Sequence, residues 1–250
     1  MTRAYYSEID PNAAMWLREL IKQGHIANGD VDERSIVDVT AGDLAGYTQC
    51  HFFAGIGVWS YALRQAGWRD DEPVWSGSCP CQPFSTAGPG RGIEDERHLW
   101  PHLYRLIAEC RPVAILGEQV AGKAGEAWFD IVQADLEAED YASGLSVFPA
   151  CGVGADHLRQ RLYWAAHSTS ERQQGQREYI APEHPKENPF REASGLVDAF
   201  QQEALPYVCS RHDEYSAKLG RIALKGFGNA IVAEQAAAFI EAYMEIQGDN

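Results

Sequence analysis

The sequence predicts an α/β fold built on a doubly wound, mostly parallel sheet. Three observations predict it. Short apolar runs alternate with helix-period segments from residue 4 to residue 166. Residues able to do chemistry recur where those runs end. At 250 residues and 45% hydrophobic content, the chain can bury one substantial core. One main domain with a small polar appendage is expected.

Taken in order, Ala4-Tyr5-Tyr6-Ser7 reads as a strand closing on Glu8 and Asp10, and Pro11 is suited to open a helix over 12–23. Ala14, Trp16, Leu17, Leu20 and Ile21 form the apolar stripe of that helix, which stops near Gly24. A second strand is expected to end at Gly29-Asp30-Val31, followed by a polar connection of about 17 residues. Gln49 to Phe53 is a third strand, and the turn Ala54-Gly55-Ile56-Gly57 leads into a helix over 58–66. Residues 72–76 form a short buried strand running into Gly77-Ser78-Cys79-Pro80-Cys81-Gln82-Pro83-Phe84-Ser85. A helix over 98–110, a strand over 112–116 ending at Gly117-Glu118-Gln119-Val120, a helix over 127–138 and a strand over 141–148 come next. Arg159-Gln160-Arg161 precedes a last strand over 162–166, and a final helix opens near Gly226 and runs to about 246. Between 167 and 207 the composition turns polar, as in a solvated insertion.

Composition narrows the function. No apolar run approaches the roughly 20 residues of a membrane span, and the first residues lack the apolar stretch of a signal peptide, so a cytoplasmic protein is expected. The six cysteines show no CxxC pairing, which indicates neither a zinc site nor a disulfide framework, and no metal is expected. A net charge of −15 argues against a simple nucleic-acid binder. The charge is uneven, however: residues 159–225 carry ten basic and nine acidic side chains, so the acidic excess lies elsewhere and one face remains usable for phosphate contact.

Two local features carry chemistry. Cys81 follows a proline that restricts the backbone, and precedes a segment with Gly88, Gly90 and Gly92 that suits a closing lid; this pattern fits a positioned thiol nucleophile. An ordinary strand-end loop with two structural cysteines fits those nine residues as well, and Cys79 is a rival nucleophile. Phe53-Ala54-Gly55-Ile56-Gly57 is a strand, tight turn and helix start, the arrangement that cradles a nucleotide cofactor. Two glycines at such a turn also serve plain tight packing.

In an open parallel sheet, ligands bind at the carboxyl ends of the strands. The set found there resembles the DNA (cytosine-5) methyltransferase family, with a texture most similar to solitary phage or prophage members acting in a bacterial host. Phe53 to Gly57 resembles its S-adenosylmethionine turn, and Pro80-Cys81-Gln82-Pro83-Phe84-Ser85 its nucleophile motif. Glu118-Gln119-Val120 stands for the family's Glu-Asn-Val, Arg159 and Arg161 for its paired arginines, and Gly228-Asn229-Ala230 for its late Gly-Asn motif. The resemblance implies a Rossmann-like class I methyltransferase with its catalytic part at 1–166 and 208–250, and a short target-recognition insertion at 167–207. It implies S-adenosylmethionine as methyl donor, S-adenosylhomocysteine as product, double-stranded DNA as partner, and a monomer.

By the same resemblance Cys81 attacks cytosine C6, Glu118 protonates or hydrogen-bonds N3, Arg161 contacts O2, and Arg159 orders the site or binds phosphate. Asn229 and the residues from Phe53 through Ala54, Gly55, Ile56 and Gly57 hold the cofactor, with Glu8 at the ribose, Ile9 against the adenine, and Asp30 and Val31 at the adenine. Gln82 and Ser85 contact DNA near the vacated base, and Arg172, Arg177, Lys186 and Arg191 read the target. The rival readings are an RNA cytosine-5 methyltransferase, an inactive DNA-binding protein that keeps the fold, and a thiol-redox role for Cys79-Pro80-Cys81.

This sequence departs from the family pattern in order. Only 24 positions separate Gly57 from Cys81, too few for the ribose and adenine units, which stand in front at Glu8 and Asp30. This reads as a local permutation of two strand units. If the spatial strand order is kept, either the helix after Gly57 changes face or residues 67–73 run back beneath the sheet. Gln119 replaces the usual asparagine, Asp156-His157 the usual Pro-Gln, and Ile9 a larger side chain.

Overall fold

A computed structural model describes residues 3–80, 99–169 and 230–248. Among them, seven strands form one sheet in the order β2-β1-β3-β4-β5-β7-β6. Strands β1 (Ala4–Ser7), β2 (Gly29–Asp32), β3 (Gln49–Phe52), β4 (Val74–Gly77) and β5 (Ala114–Val120) pair in parallel. Strand β7 (Arg161–Ser168) is antiparallel both to β5 and to β6 (Tyr141–Phe148). The expected α/β class with a mostly parallel sheet is what forms.

Helices cover both faces. On one lie α1 (Pro11–Gln23), α2 (Val58–Gln65) and α5 (Ala233–Gly248), packing Leu17, Trp59, Leu63, Phe239 and Ile240 onto Tyr6, Val74, Leu116 and Tyr163. On the other lie α3 (Trp100–Cys110) and α4 (Lys123–Ala138), with Leu103, Leu106, Phe129 and Val132 against Phe52, Trp75, Ile115 and Trp164. Neighbours in a strand alternate between the faces, as Val74 and Trp75 do, which is why the inner strands read as continuous apolar runs. Among the described residues no helix is long and apolar enough to cross a membrane.

Local signals explain most boundaries. The Asp10 carboxylate caps α1 by accepting from the Asn12 N–H at 2.9 Å, Pro11 sits in its first turn, and Gly24 ends it at φ 75°. Several expectations are corrected. Trp16, placed in the apolar stripe of α1, is 49% exposed, because the buried line of that helix runs through Ala14 and Leu17. Gly29-Asp30-Val31 opens β2 rather than closing it. Strand β5 continues through Glu118 and Gln119 to Val120, because antiparallel pairing with β7 extends it. Helix α4 begins at Lys123, four residues before the expected 127, and α5 at Ala233. The connection after β2 is not merely polar: two 3-10 turns, Ile36–Asp38 and Ala41–Leu44, bury Ile36, Val39 and Leu44 on the α3 face.

The crossover after the glycine turn is unusual. Helix α1 links β1 to β2 in one direction across the sheet, and α3 links β4 to β5 in the other, on the opposite face; the two crossovers therefore share a hand. Helix α2 links β3 to β4 in the same direction as α3 but lies on the α1 face, so its crossover has the opposite hand. Where right-handed crossovers are the rule, β3–α2–β4 is the exception. The helix keeps its face because its partners are there. Ser60 Oγ accepts from the Ala27 N–H at 3.1 Å and pairs with Tyr6 Oη at 3.0 Å, while Trp59 and Leu63 lie under α5. Residues 67–73 make the return at the amino end of the sheet, where Gln49 Nε2 donates to the carbonyls of Arg69 (3.0 Å) and Glu72 (3.4 Å).

Trp100, Trp128 and Trp164 form the centre of the α3 face, with ring centroids 5.8 to 6.4 Å apart. Gly117 makes room for them: a Cβ there would fall 2.1 Å from the Trp164 ring. Gly117→Ala is therefore expected to cost about 2–3 kcal/mol in urea unfolding, since a close-packed interior has no space to return. On the other face His51 stacks on Tyr6 and bonds Ser76 Oγ at 2.8 Å, and burial lowers its pKa to about 3. Its imidazole is neutral in the fold and takes up a proton on unfolding below its ordinary pKa of about 6.5. Stability should fall as pH drops from about 6.5 towards 3, by at most about 1.4 kcal/mol per pH unit from this group. Thermal melts of wild type and His51→Gln across that window should converge as the pH falls.

Candidate active site

The carboxyl ends of β1, β3, β4 and β5 meet on one edge of the sheet. At the end of β3 the chain turns sharply: Phe53 (φ 52°) and Gly55 (φ 55°) lead to Gly57 (φ 82°), the residue that caps α2. A Cβ on Gly57 would come 3.0 Å from Leu17 and 3.2 Å from Ile26, so tight packing adds to the demand for glycine that the positive φ already makes. Ala54 N–H donates to Ser7 O at 3.0 Å, tying the turn to β1.

Glu8 completes that tie. One carboxylate oxygen accepts from the Gly55 N–H at 2.7 Å and the other from the Asp10 N–H at 2.8 Å. Each oxygen keeps a second lone pair for a hydroxyl of a ligand. Ile9, the next residue, is 66% exposed. Asp30 lies elsewhere: it is the second residue of β2, level with Tyr5, and its carboxylate is taken by Arg3 and by Tyr47 Oη at 2.6 Å. Val31 follows it and packs partly buried beside Leu20. The acid at the carboxyl end of β2 is Asp32, held by Arg34 and accepting from Tyr5 Oη at 2.7 Å.

The acidic centre lies one strand beyond β4. Glu118 is 8% exposed, and its Oε1 accepts from Arg161 Nε at 2.9 Å. The β5–β7 register makes the pair, setting Glu118 opposite Tyr163 and Val120 opposite Arg161. Burial pushes the Glu118 carboxyl up from the ordinary range, and the charges of Arg161 and Arg159 and a hydrogen bond from Ser78 pull against it without cancelling it. Arg159, in a left-handed conformation (φ 25°), donates to Ala230 O at 2.5 Å and so joins this centre to the segment before α5. Burial and the neighbouring Arg161 charge lower its pKa. A cavity of about 280 Å³ lies between Arg159 and the turn, lined by Ile56, Val58, His157 and Ile231 among others. Thus the turn residues, Glu8, Glu118, Arg159 and Arg161 share one edge, and Asp30 does not face it.

Gln119 resolves one departure in the motifs. Its Nε2 donates to Cys79 O at 3.3 Å while its Oε1 accepts from the Val120 N–H at 2.9 Å, so the longer side chain spans from β5 to the loop after β4. Cys79 itself is 6% exposed and burial pushes its thiol far up, which leaves it a poor nucleophile. Cys81, Gln82, Ser85, Arg172, Arg177, Lys186, Arg191 and Asn229 lie outside the described residues. Among the described residues, no group of three or more His, Cys, Asp or Glu side chains is placed to hold a metal ion. Sequence reasoning gave Ser78 and Trp59 no part in the site: Trp59 Nε1 donates to Ser78 Oγ at 3.1 Å. Nothing in their spacing marked them.

Residues 71–225 match the family model described as C-5 cytosine-specific DNA methylase. The chain belongs to the C-5 cytosine-specific DNA methylase family. Similar members include the Type II methyltransferase M.NgoMIV of Neisseria gonorrhoeae, 33% identical over 107 residues, which cover 42% of this chain and 34% of that protein. Another is the Type II methyltransferase M.AplI of Arthrospira platensis, 30% identical over 96 residues, covering 38% and 28%. The matched stretch thus spans about a third of these relatives. A solved Dnmt2 methyltransferase of S. pombe is 15% identical, with a TM-score of 0.40 over 74% of this chain and 58% of that one.

In this member of the family, a half-paired buried charge is expected to be costly. Arg161→Met should lower unfolding free energy by about 2 kcal/mol, because it leaves the buried Glu118 carboxylate without its ion-pair partner. Adding Glu118→Gln should recover part of that loss in the same urea titration.

Proposed function

We propose that the chain transfers a methyl group to C5 of a flipped-out cytosine in duplex DNA, through a covalent adduct between Cys81 and C6. The observation that carries the reading is the buried Glu118–Arg161 pair beside the Cys79 carbonyl, in a chain whose residues 71–225 match the family model. Cys81 is two residues beyond that anchored carbonyl.

The chemistry asks for a nucleophile and an acid on one ring. The Cys81 thiolate adds to C6, forming the S–C6 bond, and the displaced electron pair moves through the ring towards N3. Glu118, whose carboxyl burial shifts towards the protonated form, donates at N3 and stabilises the enamine that results. Arg161 presents its guanidinium towards O2 and Arg159 steadies the same edge. Once C5 carries the methyl group, loss of the C5 proton to water, cleavage of S–C6 and return of the N3 proton to Glu118 restore aromaticity and free the thiolate.

S-adenosylmethionine, when bound, supplies the methyl group that C5 takes and departs as S-adenosylhomocysteine. The residues fit it: the turn has no side chain at Gly55 or Gly57, Glu8 keeps acceptor capacity for a ribose, and the 280 Å³ cavity adjoins Ile56 and Val58. We assign its holding to Phe53, Ala54, Gly55, Ile56, Gly57, Glu8 and Ile9, with Asn229 from the late motif and Val31 at the adenine side. Asp30 completes the set as its weakest member, since its carboxylate is already engaged with Arg3 and Tyr47.

We also read the chain order as permuted. The strands that precede the turn, β1 and β2, lie beside β3 on the side away from β4, which supports two units having moved ahead of it. Gln82, Ser85, Arg172, Arg177, Lys186 and Arg191 remain our proposed DNA contacts, with 167–207 as recognition insertion. We place the enzyme as a monomer in a bacterial cytoplasm, of phage or prophage type.

Incubation with methyl-labelled S-adenosylmethionine and mixed-sequence duplex DNA should place label in cytosine, and tRNA should compete poorly. Cys81→Ser should lose transfer while still binding cofactor, and Glu118→Gln should slow it about 10²–10⁴-fold. Cofactor binding without label in DNA cytosine would contradict the reading.

A further inference from the structure

We propose that His157, backed by Asp156, accepts a hydrogen bond from the α-ammonium group of S-adenosylmethionine, while Arg159 takes the α-carboxylate across the same cavity. The assignment rests on the reading of the chain as an S-adenosylmethionine-dependent methylase. It names the side chains that sort this cofactor from adenosine compounds lacking the amino-acid part. His157 stands where the family pattern has glutamine, and the transfer chemistry makes no use of it.

The place of the cavity gives the first argument. Strand β1, which ends at Glu8, flanks the glycine turn on one side, and the 280 Å³ cavity opens from the turn towards Arg159 on the other. A cofactor that sets its ribose on Glu8 and crosses the turn therefore brings its amino-acid end to the cavity. Ile56, Val58, Ile231 and Val232 form apolar walls, and His157 and Arg159 supply the polar side chains. Val58 and Ala233 are the first residues of α2 and α5, so the positive ends of two helices border the same space. Among the described residues, no carboxylate lines it.

Hydrogen-bond polarity gives the two side chains different tasks. A carboxylate only accepts, so His157 Nδ1, 3.0 Å from Asp156 Oδ1, carries the proton of a neutral imidazole. Nε2 then presents a lone pair, which calls for a donor. The same contact holds the Asp156 carboxyl below its ordinary range, so an ionised acid backs the ring. Arg159 is opposite in kind, because a guanidinium only donates and keeps its charge. Its Nη2 donates to Ala230 O at 2.5 Å, which fixes the group at the cavity wall. An acceptor backed by a carboxylate and a fixed cation, set on one cavity, match the ammonium and carboxylate of a free α-amino acid. Only the amino-acid end of the cofactor carries that pair.

The test is a binding measurement. Isothermal titration calorimetry of the full chain at about pH 8, where a free imidazole is neutral, compares S-adenosylhomocysteine with its des-amino analogue, in which hydrogen replaces the amine. Wild type should bind S-adenosylhomocysteine roughly tenfold or more tightly than the analogue. His157→Ala should weaken S-adenosylhomocysteine by a similar factor and leave the analogue unchanged, and His157→Gln, which keeps an acceptor, should recover most of the loss. Arg159→Met should weaken S-adenosylmethionine more than its decarboxylated form. Should His157→Ala fail to fold by circular dichroism, His157→Phe, which keeps a ring without an acceptor, takes its place with the same expectation. Equal losses for S-adenosylhomocysteine and the analogue in a folded His157 variant, or no loss for either, would overturn the assignment, and so would equal losses for the two S-adenosylmethionine forms in Arg159→Met. Cofactor binding by wild type without methyl transfer to DNA would contradict the functional reading alone, and the same titrations would still decide the contact. Failure of wild type to bind either S-adenosyl compound would overturn both.

Discussion

A carboxylate as enclosed as Glu118 needs a partner, and the antiparallel pairing of β5 with β7 supplies one. Opposing Val120 to Arg161 sets the guanidinium across the strand from Glu118, and a slip of one residue would put the two side chains on opposite faces of the sheet. Trp164 in turn sits opposite Gly117 and crosses it, so the register is locked from the core side by a contact that no larger residue permits. The acid centre is thus specified by packing some distance from the chemistry. Gln119, on the same strand, carries the specification to the Cys79 carbonyl and so to the start of the cysteine loop.

The other half of the site depends on where α2 sits. A helix between neighbouring parallel strands would ordinarily take the face that gives a right-handed crossover. Here the contacts of Ser60 with Tyr6 and Ala27, and of Trp59 and Leu63 with α5, keep it on the other one. The consequence is that one short helix borders the glycine turn at its first residue and supports Ser78 one residue later. The glycine turn and the end of β4 are held by a common strut.

Much of this was legible in the residues. The alternation of apolar runs and helical stripes gave the sheet and its class, and the turn, Glu118 and Arg161 stood where those runs ended. What misled was local pattern without knowledge of pairing. Glu118 looked like a residue after a strand because Gly117 interrupts the apolar run; the antiparallel neighbour extends the strand through it. Gly29-Asp30 looked like a strand end because turns favour those residues, yet Gly29 is there because its Cβ would meet Ala4 O at 1.9 Å. Trp16 fell on a plausible helical stripe that the sheet does not cover. The face taken by α2 and the Trp59–Ser78 contact arise from non-neighbouring segments, which periodicity does not encode.

The thiol beyond the Gln119 anchor, opposite Glu118, is the one we propose bonds cytosine. The most direct measurement is peptide mapping by mass spectrometry after incubation with S-adenosylmethionine and a duplex containing 5-fluorocytosine, whose C5 has no proton to lose. The account predicts the modified nucleotide on Cys81, with Cys79 unmodified. An adduct on Cys79, or none from a protein shown to methylate cytosine in ordinary DNA, would contradict it.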